Sequence, residues 1–129
     1  MIVAGDSLAV GIAAVLHTQS LARVGMRSRE GAALIQRTDD KRLIVSLGAN
    51  DLDNDTRFRQ RIRAVVRGRS CVAWVAVTRK PHLDRQLAQI AREDPRLHRI
   101  SLHGIPRADG IHPRDYRALA HRAQRACKP

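Results

Sequence analysis

Short apolar runs alternate with helix-period patterns along the chain, and that alternation is its most informative feature. Residues 1–4 (MIVA) read as a first strand, and 8–17 as an almost wholly apolar helix, a composition that predicts burial. LARV at 21–24 is a weaker second strand ending at Gly25, with a short helix around 29–37. RLIVSL at 42–47 is a β-branched strand ending in Gly48. From about 55 to 68, Phe58, Ile62, Val65 and Val66 fall on one helical face. CVAWVAV at 71–77 is the most continuous strand, and Leu83, Leu87, Ile90 and Ala91 repeat the helical spacing. LHRISL at 97–102 is a fifth strand. Tyr116, Leu119, Ala120 and Ala123 mark a last helix, expected to begin at Pro113 because proline suits the first helical position.

Five strands separated by helices predict a single α/β domain over residues 1–129, a doubly wound parallel sheet covered on both faces. In such sheets, sites form beyond the carboxyl ends of the strands, near the reversal of strand order. Ser7, Gly25, the segment Gly48-Ala49-Asn50-Asp51, and Asp109 with His112 all fall in loops of that kind. They are therefore expected to share one rim.

Composition adjusts this picture modestly. The chain has 129 residues, 43% of them hydrophobic, and no low-complexity tract. No apolar run approaches the roughly 20 residues of a membrane span. No leader peptide is visible at the start, so a cytoplasmic location is the default expectation. Cys71 and Cys127 fit neither a metal-site spacing nor a disulfide framework, and read as reduced packing residues. The net charge of +12 is supplied almost entirely by arginine and would attract anionic partners. With one Trp, one Tyr and one Phe there is little aromatic surface for stacking bases, which argues against nucleic acid. The arginines are spread along the chain, so they read first as a solvated surface. The other histidines show no ligand-like spacing, and neither a metal nor a cofactor is expected.

Each rim segment has a plain structural meaning by itself. Gly5-Asp6-Ser7 can cap a helix, Gly48–Asp51 can be a turn, and Asp109-Gly110 can be another. Together they supply the parts of acyl transfer. A serine hydroxyl needs a nearby base to become a nucleophile. His112 can be that base for Ser7, and Asp109, three residues earlier, can reach the far ring nitrogen and fix the tautomer. The backbone N–H groups of Ser7 and Gly25 and the side-chain amide of Asn50 can serve as oxyanion donors. Arg27, Arg79 and Arg107 are expected near the rim, where they could steer an anionic substrate.

The stretches VAGDSLAVG, VGMRSREG, VSLGANDLD and ADGIHP, in this order over residues 1–113, resemble the four conserved blocks of the SGNH (GDSL) hydrolase superfamily. The resemblance implies a flavodoxin-like three-layer sandwich and metal-free, serine-dependent ester hydrolysis. It also implies the triad Ser7–His112–Asp109, with Ser7, Asn50 and a second-block glycine at the oxyanion. That glycine is Gly25, with Gly31 as the alternative. Met26 and Arg27 depart from the small or hydroxyl residues that usually follow it. A chain this short leaves little room for a lid, which favours short acyl groups such as acetyl, on carbohydrate or other small esters. Thioester or lysophospholipid hydrolysis is the nearest alternative, and a non-catalytic polyanion-binding module is the rival of a different kind. Oligomeric state and physiological substrate are not legible.

Overall fold

The structure, a computed structural model, describes residues 1–128. The chain runs β1 (Ile2–Gly5), α1 (Ser7–Leu16), β2 (Ser20–Ala22), α2 (Ser28–Ile35), β3 (Arg42–Ser46), α3 (Phe58–Val66), β4 (Cys71–Val75), α4 (Pro81–Glu93), β5 (Leu97–Ile100) and α5 (Arg117–Ala126). All four strand pairings are parallel and the order is β2-β1-β3-β4-β5. This is a three-layer, flavodoxin-like α/β/α sandwich, with the reversal of strand order between β1 and β3.

Strand pleating divides the core in two. Ile2, Ala4, Leu43, Val45, Val72 and Trp74 face α2, α3 and α4. The intervening Val3, Ile44, Ala73 and Val75 face α1 and α5. Trp74 sits at the centre of the first layer. Its indole N–H donates to the Leu47 carbonyl at 3.0 Å, and its ring meets Phe58 edge-on at 6.0 Å.

Four expectations need correction. First, α1 is not buried all round: Leu8, Ala9, Ile12 and Ala13 face the sheet, while Val10 is 40% exposed. Its outer side is formed by Val10 and Ala14, apolar residues left exposed rather than enclosed. Second, the last helix starts at Arg117, not Pro113. Pro113 instead forms an antiparallel bridge with Arg107, and the Arg114 N–H donates to the Pro106 carbonyl at 3.0 Å. Residues 106–114 thus close a small hairpin, which takes priority over the local helix preference. Third, Cys71 and Cys127 form a disulfide, with Cα atoms 5.5 Å apart. The start of β4 and the end of α5 meet there, although 56 residues separate them in sequence. Fourth, Gly31 lies inside α2, and its N–H donates to the Arg27 carbonyl at 3.0 Å. As placed, that N–H is committed to the helix and is not free to meet an oxyanion.

Among the described residues, no helix is long and apolar enough to cross a membrane.

Candidate active site

The first strand ends at Gly5, whose φ is +135°. A Cβ there would stand 2.0 Å from the Ser46 carbonyl oxygen, so only glycine lets β1 and β3 approach this closely at their carboxyl ends. The Asp6 N–H donates to that same oxygen at 2.9 Å. Asp6 then caps α1 by accepting from the Leu8 N–H at 3.1 Å. Ser7 is consequently the first residue of α1, aimed outward at the helix N-terminus. Its own N–H is one of those that an α-helix leaves without an intrahelical partner, in a field that favours developing negative charge.

Opposite stands the hairpin that follows β5. His112 Nε2 lies 2.8 Å from Ser7 Oγ, a geometry in which the hydroxyl donates to the ring. On its far side, Nδ1–H donates to Asp109 Oδ2 at 2.6 Å. The other Asp109 oxygen accepts from the His112 N–H at 2.7 Å and the Ile111 N–H at 3.0 Å. These bonds, the backbone one from His112 first, hold the Asp109 carboxyl well below the usual carboxylate range. It is therefore ionised, as a partner for a charged imidazole must be. The hairpin is closed by the Ala108 N–H donating to the His112 carbonyl at 2.9 Å.

The remaining rim loops are tied to one another. Asn50 Nδ2 donates to the Met26 carbonyl at 3.2 Å, joining the loop after β3 to the loop after β2. In that second loop Gly25 has φ +83° and nothing within 4 Å of a built Cβ. It occupies a left-handed turn that side chains disfavour, with open space around it.

Beneath lies a network that the sequence reading missed. Buried Asp51 accepts from the Ser28 N–H at 2.9 Å and from the Ser28 hydroxyl. Arg61 reaches Ser28 Oγ at 3.1 Å and Asp55 at 2.8 Å. Asp51 thereby anchors the first residue of α2 and fixes Asn50 against the Gly25–Met26 turn. The only sequence signal was its place in the Gly48–Asp51 segment.

The three arginines singled out from sequence have different positions. Arg27 precedes α2 and is exposed, and Arg107 pairs through its backbone with Pro113. Arg79 adopts a left-handed conformation at φ +59° and donates to the Asp109 carbonyl at 3.0 Å. It braces the triad hairpin rather than pointing freely to solvent. Lys80 similarly donates to the Ala49 carbonyl at 2.8 Å. Among the described residues, no three His, Cys, Asp or Glu side chains are grouped so as to hold a metal ion.

No family model matches this chain, and no curated protein matches its sequence.

Proposed function

We propose that the protein is a serine-dependent ester hydrolase of the SGNH type, acting on short acyl groups and most suitably on acetyl esters of carbohydrates. The observation that carries this reading is the continuous relay Ser7–His112–Asp109, with contacts of 2.8 and 2.6 Å. Three side chains from opposite ends of the sequence meet in the order that nucleophile, base and orienting carboxylate require.

In this reading His112 Nε2 takes the Ser7 proton as Oγ attacks the ester carbonyl. The tetrahedral oxyanion is met by the N–H groups of Ser7 and Gly25 and the second amide proton of Asn50. Asp109 stabilises the imidazolium, which then gives its proton to the departing alcohol. Water enters, is deprotonated by His112, and attacks the acyl-enzyme. The tetrahedral intermediate then collapses, releasing the acid and returning the proton to Ser7.

The short-acyl preference follows from an open rim. The Asp109 side chain is 55% exposed, and the grooves of 330–440 Å³ on the surface are lined by residues outside the triad. Val24, next to Gly25, and Leu52, two residues past Asn50, are exposed apolar side chains on these loops.

The test is hydrolysis of p-nitrophenyl acetate, butyrate and octanoate, with fluorophosphonate labelling of the same samples. Wild type should turn over acetate fastest and label at Ser7, and Ser7→Ala should do neither. A folded wild type that neither labels nor hydrolyses any of the three esters would refute the assignment. Labelled protein that prefers octanoate would keep the nucleophile and reject the acyl length.

A further inference from the structure

Once the chain is folded, both outer layers carry a helix with three arginines and no acid, α3 on one and α5 on the other, and on the α3 side the arginines line grooves. α2, α3 and α4 form one outer layer, and α3 (FRQRIRAVV) carries arginine without a single acid. Between α3 and α4 runs a groove of about 420 Å³ whose polar lining is Arg59, His82, Arg85, Gln86, Gln89 and Arg92. Between α2 and α3 runs another, of about 330 Å³, with Arg29, Gln36, Arg57, Gln60 and Arg61. Neither lining contains a carboxylate, and neither contains a Phe, Tyr or Trp ring.

Most nearby acids are already engaged, Glu93 at the end of α4 being the exception among the described residues. Asp55 binds Arg61 at 2.8 Å, Asp84 binds Arg99 at 2.7 Å, and Asp94 binds Arg96 at 2.8 Å. Asp53 accepts the N–H groups of His82 and Leu83. Among the described residues, the guanidinium groups of Arg29, Arg57, Arg59, Arg85 and Arg92 have no carboxylate within 4.0 Å, although the Arg57 backbone N–H donates to Asp55 at 2.8 Å. Arg59 donates to the neutral Gln89 amide oxygen at 3.0 Å, bridging the walls of the larger groove.

We propose that these two grooves bind an acidic polysaccharide and hold it alongside the catalytic rim. Planar guanidinium groups suit carboxylate oxygens two at a time, and the interspersed glutamine amides suit sugar hydroxyls. Each of the three helices starts from the carboxyl end of a strand, so Arg29, Arg57, Arg59 and His82 stand on turns next to the rim. With neighbouring helices about 10 Å apart, the two grooves together offer a path of roughly 20 Å. Phe58 and Trp74 are buried, so this layer has no platform for unpaired bases. The exposed large apolar residues, Val10, Val24 and Leu52, lie on α1 and the rim loops, so nothing on this layer would enter a bilayer. The placement of an acylated glycan beside Ser7 rests on the ester-hydrolase reading, whereas binding itself does not.

The experiment measures polygalacturonate binding to the full chain by calorimetry at about 50 and 200 mM salt, a range over which polyelectrolyte contacts weaken steeply. Two variants of equal charge are compared: Arg59→Gln/Arg85→Gln/Arg92→Gln in the groove, and Arg117→Gln/Arg125→Gln/Lys128→Gln on the opposite layer. The groove variant should bind at least about tenfold more weakly and the control about twofold or less. Both should keep the wild-type melting temperature. Equal losses in the two variants would reduce the effect to net charge and overturn the proposal. So would absent wild-type binding, or tighter binding of a 20-base-pair DNA duplex. Glycan binding that maps to the groove in a protein that hydrolyses no ester would uphold this inference while refuting the catalytic one.

Discussion

Asp6 shows how one residue serves the site and burdens the fold. It is 2% exposed, and burial pushes its carboxyl from 3.8 up to about 6. Hydrogen bonds from the Ser46 side chain and the Leu8 and Ala9 N–H groups offset this only in part. Its Oδ2 atom has no partner. A carboxyl that holds its proton more tightly when folded stabilises the native state at low pH. That contribution is full below pH 3.8, fades as pH rises to about 6, and is absent above it. The rise corresponds to about 3 kcal/mol. Asp6→Asn keeps an acceptor for the Leu8 N–H but cannot ionise. Its melting temperature relative to wild type should therefore climb by several degrees between pH 4 and pH 6.5, followed by calorimetry. A difference that stays flat across that range would mean that Asp6 is charged without penalty. Because Asp6 adjoins Ser7, the cost falls where the strand must turn sharply to expose that hydroxyl.

At the scale of elements, α5 follows the His112 hairpin and is seated on α1. Tyr116 joins the His112 hairpin to α5, and its ring lies on α1. A Cβ at Gly11 would meet three of its ring carbons at 2.3–2.5 Å. Burial raises the Tyr116 phenol above its ordinary value, with the charges of Asp109 and Asp6 adding to the effect. Gly11→Ala should accordingly destabilise by about 1–3 kcal/mol through overpacking, despite alanine's better helix propensity. In a Tyr116→Ala background the same change should reverse sign and stabilise by up to about 1 kcal/mol. Urea unfolding of the four proteins in that cycle decides the matter. Two independent, additive effects would show that ring and glycine do not share the contact.

Across the whole molecule, the Cys71–Cys127 bond ties the start of β4 to the end of α5, at the end of the sheet opposite Ser7 and His112. Closing a loop of 56 residues restricts the unfolded chain by roughly 4 kcal/mol in the chain-entropy account. Reduction, or Cys71→Ser with Cys127→Ser, should lower the melting temperature by about 15 °C. Ester turnover at 25 °C should change by less than about twofold, since the bond lies far from the rim. Unfolded protein purified without reductant should show no free thiol. Two titratable thiols would restore the reduced state read from sequence. Such bonds persist in oxidising environments and are rare in the cytosol.

What the sequence settled by itself was periodic or chemically irreplaceable. Alternating apolar runs specify five strands and five helices, because burial period and element type are locally linked. The candidates Ser7, His112, Asp109, Gly25 and Asn50 were legible because few residue types can supply a hydroxyl nucleophile, a base, an orienting carboxylate or oxyanion donors. Contacts between segments distant in sequence carry no such local mark. The Cys71–Cys127 pairing, the anchoring of Ser28 by Asp51, and the hold of Arg79 on Asp109 each join separate elements. Pro113 looked like a helix start until Arg107 claimed it for a hairpin. The arginines looked dispersed along the chain, and only helix packing gathered them into grooves. Tertiary structure decided these features because each depends on which elements the sheet brings side by side.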